Sequence, residues 1–165
     1  VIDHLTTFIS IDPGFSKSNG TGWCIFVDSR PVLAGLATAD DHDATLSVRC
    51  EQIRLKVPTH WGGGTPLPRV IEHMKIYPGP RQKGDQNDLI DLGYLEGVLA
   101  AGALEVRLLY AREWKGNVPK DVLQARIEAR MREEGFKPEL PKAEEKRGSV
   151  LEGIGIGYHV VGRMR

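Results

Sequence analysis

The chain has 165 residues with Lys+Arg and Asp+Glu at 22 each, so its formal net charge is zero and no global basic signature of a nucleic-acid binder is present. Any DNA-binding surface must therefore come from local segregation of charge. The length predicts one domain, residues 1–165, large enough to bury roughly two thirds of its unfolded surface without disulfide or metal staples. The absence of an 18-residue apolar run predicts no membrane-spanning helix, and the spacing of Cys24 and Cys50 matches neither a zinc site nor a disulfide framework. Both cysteines are expected as buried thiols in a reducing cytoplasm.

Residues 8–14, Phe-Ile-Ser-Ile-Asp-Pro-Gly, end a β-branched apolar run with a carboxylate, a ring that fixes φ and a glycine. They predict a buried strand that delivers Asp12 to its carboxyl end beside a tight turn. Asp12 reads either as a turn former or as the metal-binding acid of a nuclease. Residues 21–27 predict a second strand, with 14–20 as a hairpin connection, and 32–37 a third, so the chain opens as an antiparallel meander. Residues 43–57 fit a short amphipathic helix loosely, and the glycines and prolines of 62–68 cannot continue it. Residues 69–77 predict a fourth strand whose apolar core is interrupted by Glu72. A buried carboxylate is costly unless paired or metal-bound, and the alternative is an edge strand with Glu72 in water.

Residues 78–85 form a loop carrying Arg81 and Lys83, after which Asn87 is a plausible N-cap for a helix with a wide apolar face. Its small residues, Gly93 and Gly97 among them, suit close packing against either the sheet or a second copy. Residues 105–110 predict a fifth strand, and 111–118 a connection leading to Pro119 at a first helical position. A charged helix follows over 120–134, with Val122, Leu123, Ile127 and Met131 as its buried stripe. Between Arg107 and Lys137 there are eight Lys/Arg against five acids, which reads as a solvated face. The loop basics Arg81, Lys83 and Lys115 are better phosphate candidates, because binding groups favour loops at strand ends. A last helix is expected from about residue 142 toward 163, and Glu152 is the single acid in its glycine-rich apolar half. Like Glu72, it needs a partner.

Several stretches, taken in order, are similar to one family. Phe8 to Gly14 followed by Thr21-Gly22-Trp23, then Val70-Ile71-Glu72, Gly84-Asp85-Gln86-Asn87-Asp88-Leu89, Glu113-Trp114-Lys115-Gly116-Asn117-Val118-Pro119-Lys120 and Leu151-Glu152-Gly153-Ile154-Gly155-Ile156-Gly157 resemble the RuvC-type Holliday junction resolvases, in particular their compact phage and plasmid branch. The resemblance implies an α/β, ribonuclease H-like fold, with a five-stranded mixed sheet in the order 3-2-1-4-5 flanked by helices. It further implies a homodimer in a bacterial or phage-infected cytoplasm that nicks two strands of a four-way DNA junction symmetrically. Asp12, Glu72 and Glu152 would be its catalytic, metal-binding acids, holding two Mg²⁺ ions, with Mn²⁺ as a substitute. Such a pair, about 3.5 to 4 Å apart, activates a water and stabilises the leaving 3′ oxygen. Tyr77, just past Glu72, would either stack on a base at the branch point or close the core at a strand end.

Two departures from the pattern stand out. Glu152 replaces the family's aspartate, and its extra methylene moves the carboxylate by roughly 1.5 Å unless the helix retreats. Gly148 and Ser149 stand where many members carry a fourth acid or histidine, with Glu144 and Glu145 the nearest acids. The competing expectations are a ribonuclease H-like nuclease acting on other branched DNA or on hybrids, and a junction-binding protein that does not cleave.

Overall fold

The computed structural model describes residues 5–64, 66–75 and 85–164. Strands β1 (Phe8–Asp12), β2 (Thr21–Val27) and β3 (Arg30–Ala37) precede helix α1 (Leu46–Lys56) and strand β4 (Arg69–His73). Helix α2 (Gln86–Ala100), strand β5 (Val106–Tyr110) and helices α3 (Ala111–Trp114), α4 (Lys120–Glu134) and α5 (Glu144–Val160) complete the order. The strands form one sheet in the order β3-β2-β1-β4-β5. β1, β2 and β3 pair antiparallel, as short hairpin links allow, whereas β1–β4 and β4–β5 pair parallel through helical crossovers. The predicted α/β architecture, a five-stranded mixed sheet flanked by helices, is therefore what the chain adopts.

Alternation along the strands divides the core in two. Phe8, Cys24, Phe26 and Val70 point to the face covered by α4 and α5, and pack with Leu123, Ile127, Leu151 and Ile154. Ile9, Ile11, Ile25 and Ile71 point to the opposite face and pack with Cys50 and Ile53 of α1 and with Leu95 and Leu99 of α2. Successive residues of a strand face opposite sides, so the same count places Ser10, Asp12 and Glu72 on the α5 side. Both cysteines are buried free thiols, and burial pushes each thiol pKa up. No helix among the described residues is long and apolar enough to cross a membrane.

Several local expectations shift. Residues 111–114 form a short helix rather than plain connection, because the Tyr110 N–H donates to the Glu113 carboxylate at 2.7 Å and closes a turn. Asp85, not Asn87, caps α2, its carboxylate accepting the Asn87 N–H at 2.8 Å. Pro119 occupies the N-cap of α4 rather than its first turn. Val122 is 39% exposed and does not join the buried stripe. Leu123, Ile127 and Met131 lie at successive i, i+4 positions, and Val122 is about a quarter of a turn off that line. β4 ends at His73; Tyr77, Arg81 and Lys83 lie outside the described residues.

Candidate metal centre

Asp12 and Glu72 meet because β1 and β4 run parallel in register. Ser10 faces Val70 and Ile11 faces Ile71, so the next residues along, at the carboxyl ends of both strands, are Asp12 and Glu72. β4 lies between β1 and β5, so Glu72 is not on an edge strand facing water.

The third acid arrives through glycines. Asp12 pairs across the sheet with Gly22 of β2, and α5 crosses β2 at that residue. A Cβ on Gly22 would stand 1.8 Å from the Ser149 carbonyl oxygen, and one on Gly153 would stand 2.9 Å from the Gly22 carbonyl carbon. One turn further, a Cβ on Gly157 would run into the Phe26 ring at 1.9 Å. At Gly22 and Gly153 backbone thus touches backbone, which only glycine permits. Ser10, fully buried on β1, donates its hydroxyl to the Gly153 carbonyl at 2.7 Å and pins the crossing. Glu152, next to Gly153, is carried to the carboxyl ends of β1 and β4.

One carboxylate oxygen from each of Asp12, Glu72 and Glu152 lies within 4.8 Å of the other two, and all three residues are half-buried. Glu144 and Glu145 do not join this group, and the Ser149 hydroxyl turns back to the Glu145 carbonyl at 3.4 Å. α5 lies in backbone contact with β2 beside the longer Glu152. A cation meets its carboxylate: Lys115 Nζ donates to Glu152 at 2.5 Å and to Glu72 at 3.2 Å. Lys120 Nζ stands 3.8 Å from the other oxygen of Glu152. Trp114 Nε1 donates to Glu72 at 2.6 Å, which orients that carboxylate.

Electrostatics follows from this geometry. Burial, and then the negative charges of Glu72 and Glu152, hold the Asp12 pKa well above the usual carboxylate range. Glu72 is also raised, first by burial, with Lys115 opposing and Glu152 adding to the shift. Burial pushes Lys115 down, but the charges of Glu72 and Glu152 outweigh it and leave the ammonium above the usual lysine range. Fully ionised, the three carboxylates outnumber the two ammonium groups, so the cluster is net acidic once Asp12 has lost its proton. A donor set made only of carboxylate oxygens, already drawing one cation between two of its members, fits a hard divalent ion such as Mg²⁺ or Mn²⁺.

Of the residues singled out in the sequence, Asp12, Glu72 and Glu152 come together. Lys115, expected as a phosphate contact on an open loop, instead has its ammonium among the acids. Trp114 and Lys120 were not singled out. The signal for Trp114 and Lys115 was indirect: a buried acid on β4 needs donors, and the link leaving the neighbouring β5 offers an indole and an ammonium side by side. No protein-family model and no curated protein matches the chain, so the geometry of this cluster carries the functional reading.

Proposed function

We propose that the chain is a metal-dependent endonuclease that acts on branched DNA, with four-way junctions as its substrate, in the manner of the RuvC-type resolvases it resembles. The observation that carries the reading is the meeting of three acids, from β1, β4 and α5, at the carboxyl ends of parallel strands in a 3-2-1-4-5 sheet. Asp12, Glu72 and Glu152 would hold the divalent ion, which when bound supplies Lewis acidity toward the phosphodiester and its attacking water. The net negative cluster repels a phosphodiester by itself, so its charge balance calls for added cations before DNA can approach. Lys115 holds Glu72 and Glu152 in place, and the more exposed Lys120 adds positive charge beside Glu152. Trp114 keeps the Glu72 carboxylate turned toward the other two acids.

Cutting two strands symmetrically calls for two active sites, and a second copy of the chain supplies the other. α2 offers it an apolar face: Ile90 (61% exposed) and Tyr94 (47% exposed) lie at helical spacing with Gly97, whose Cβ would meet nothing within 4 Å.

The test is a labelled mobile four-way junction and a linear duplex of equal length, each incubated with Mg²⁺, Mn²⁺ or chelator. Paired symmetric nicks in the junction alone are expected with either metal. Asp12→Asn and Glu72→Gln are each expected to abolish nicking while leaving junction binding intact; substantial cleavage by either variant would sink the assignment. The position of Lys115 favours a second reading, in which the ammonium permanently takes the cation's place and the chain binds junctions without cutting them. Under that reading Mg²⁺ would leave the melting temperature unchanged and the wild-type chain would not nick.

A further inference from the structure

A second recess opens one residue further along the same strands, on the opposite face of the sheet. His73 follows Glu72 on β4 and pairs with Tyr110, just as Glu72 pairs with Leu109. Alternation sends His73 and Tyr110 to the α2 side, where His73, Lys75, Tyr110, Ala111, Arg112 and Glu113 surround a cavity of about 480 Å³. That volume is within the range of small-ligand sites.

The side chains in the recess are arranged, not merely adjacent. His73 Nδ1 lies 2.6 Å from the carboxylate of Glu96, a nearly buried acid of α2, and Glu96 also accepts the Met74 N–H at 3.0 Å. A carboxylate only accepts, so Nδ1 carries the hydrogen and Nε2 is the ring atom left for a ligand. The His73 ring tilts against Tyr110 with centroids 5.0 Å apart, and Lys75 Nζ lies 5.7 Å from the Tyr110 ring centre. Tyr110 remains 40% exposed. The only acid in the lining among the described residues, Glu113, has its carboxylate engaged by the Tyr110 N–H, whereas Arg112 is exposed on the rim. A part-exposed aromatic ring beside an exposed arginine suits a base with its phosphate: every base can stack on a ring, and the guanidinium meets the backbone.

The geometry points to this recess as a nucleotide subsite, taking one unpaired nucleotide of the DNA strand whose neighbouring phosphate lies at Asp12, Glu72 and Glu152. The inference rests on the nuclease reading and deepens it. Consecutive residues of β4 serve the two places: Glu72 faces the scissile phosphate and His73 the adjoining nucleotide. Glu96 acts through His73 as a positioning residue, holding the ring against Tyr110.

The experiment is a titration of the full chain with a short labelled oligothymidylate in chelator, read by fluorescence anisotropy at several salt concentrations, beside junction nicking with Mg²⁺. Tyr110→Ala is expected to weaken oligothymidylate binding about 10-fold, and Tyr110→Phe, which keeps the ring, to bind as the wild type does. Arg112→Ala, on an exposed side chain and safe for folding, is expected to reduce the slope of log affinity against log salt by about 0.7, the signature of one lost phosphate contact on a single strand. Wild-type affinity and salt slope in both Tyr110→Ala and Arg112→Ala would overturn the subsite, and would leave the nuclease reading intact if junctions are still nicked. Binding with the expected losses but no nicking by the wild-type chain would remove the nuclease reading instead.

Discussion

Lys115 lies where a cation is most needed, within hydrogen-bond reach of both Glu72 and Glu152. Removing it leaves half-buried Glu72 without an ammonium partner and Glu152 with only Lys120, 3.8 Å away. Lys115→Met is therefore expected to destabilise the metal-free chain by about 3 kcal/mol, toward the lower end of the cost of breaking a buried pair. Mg²⁺ should recover more of the melting temperature in this variant than in the wild type, a comparison that differential scanning fluorimetry makes directly. Asp12 behaves in the opposite sense. Its pKa is raised in the folded chain by burial and by its acidic neighbours, so the folded state binds the proton more tightly than the unfolded state does. The stability this supplies is fully present below the ordinary carboxylate pKa of about 4 and is lost as pH rises through the raised value. In chelator, Asp12→Asn should remove that decline, so the variant melts higher than the wild type at pH 8 while nicking nothing. A variant that melts lower at pH 8 and shows the same pH slope would contradict the site's electrostatics. Higher stability without the acid would mark a site held against its own repulsion.

At the scale of elements, the decisive contact is α5 against β2. Gly22 and Gly153 let helix backbone lie against strand backbone, Gly157 makes room for the Phe26 ring, and that approach sets how far Glu152 reaches. A methyl group at Gly22 has no flexible neighbour to displace, only the Ser149 backbone. Gly22→Ala is expected to cost about 3 kcal/mol, a fall of about 10 °C in melting temperature for a domain of this size, and to reduce nicking in whatever fraction still folds. Gly97, with nothing near it, makes the control: Gly97→Ala should be neutral or slightly stabilising for the isolated chain, since alanine favours the helix. Thermal melts of the two variants side by side check both. The acids were legible singly in the sequence, as costly carboxylates in apolar runs. The glycine-rich half of the last helix was legible, but not that Gly153 lies on Gly22 of β2.

For the whole molecule, the exposed apolar residues of α2 and β5 are the feature that isolated elements do not explain. Ile90 and Tyr94 on α2, and Val106 and Leu108 on β5, all stand open to solvent. A second copy covering α2 would bury Ile90 and Tyr94 and pair two metal centres in one assembly. Ile90→Arg is expected to leave the melting temperature of the monomer within about 1 °C, because an exposed substitution changes stability little. It should convert a dimer into a monomer in analytical ultracentrifugation and turn paired junction nicks into single ones. A wild-type chain that sediments as a monomer at all accessible concentrations would remove the dimer while leaving the metal centre untouched.

The sequence by itself determined the strands and singled out the three acids, because these depend on local alternation, on turn chemistry and on the cost of a carboxylate in an apolar run. It also carried the α/β sheet order, through motifs that occur in a familiar succession. Only the tertiary structure decided what surrounds the acids. That Lys115 turns in to Glu72 and Glu152 rather than outward, that Trp114 caps Glu72, and that Glu96 reaches His73 all depend on residues 23 to 43 positions apart being brought together by the sheet. A side chain's partner across such a distance is fixed by strand register and helix crossing, and neither quantity is written in the neighbours of any one residue.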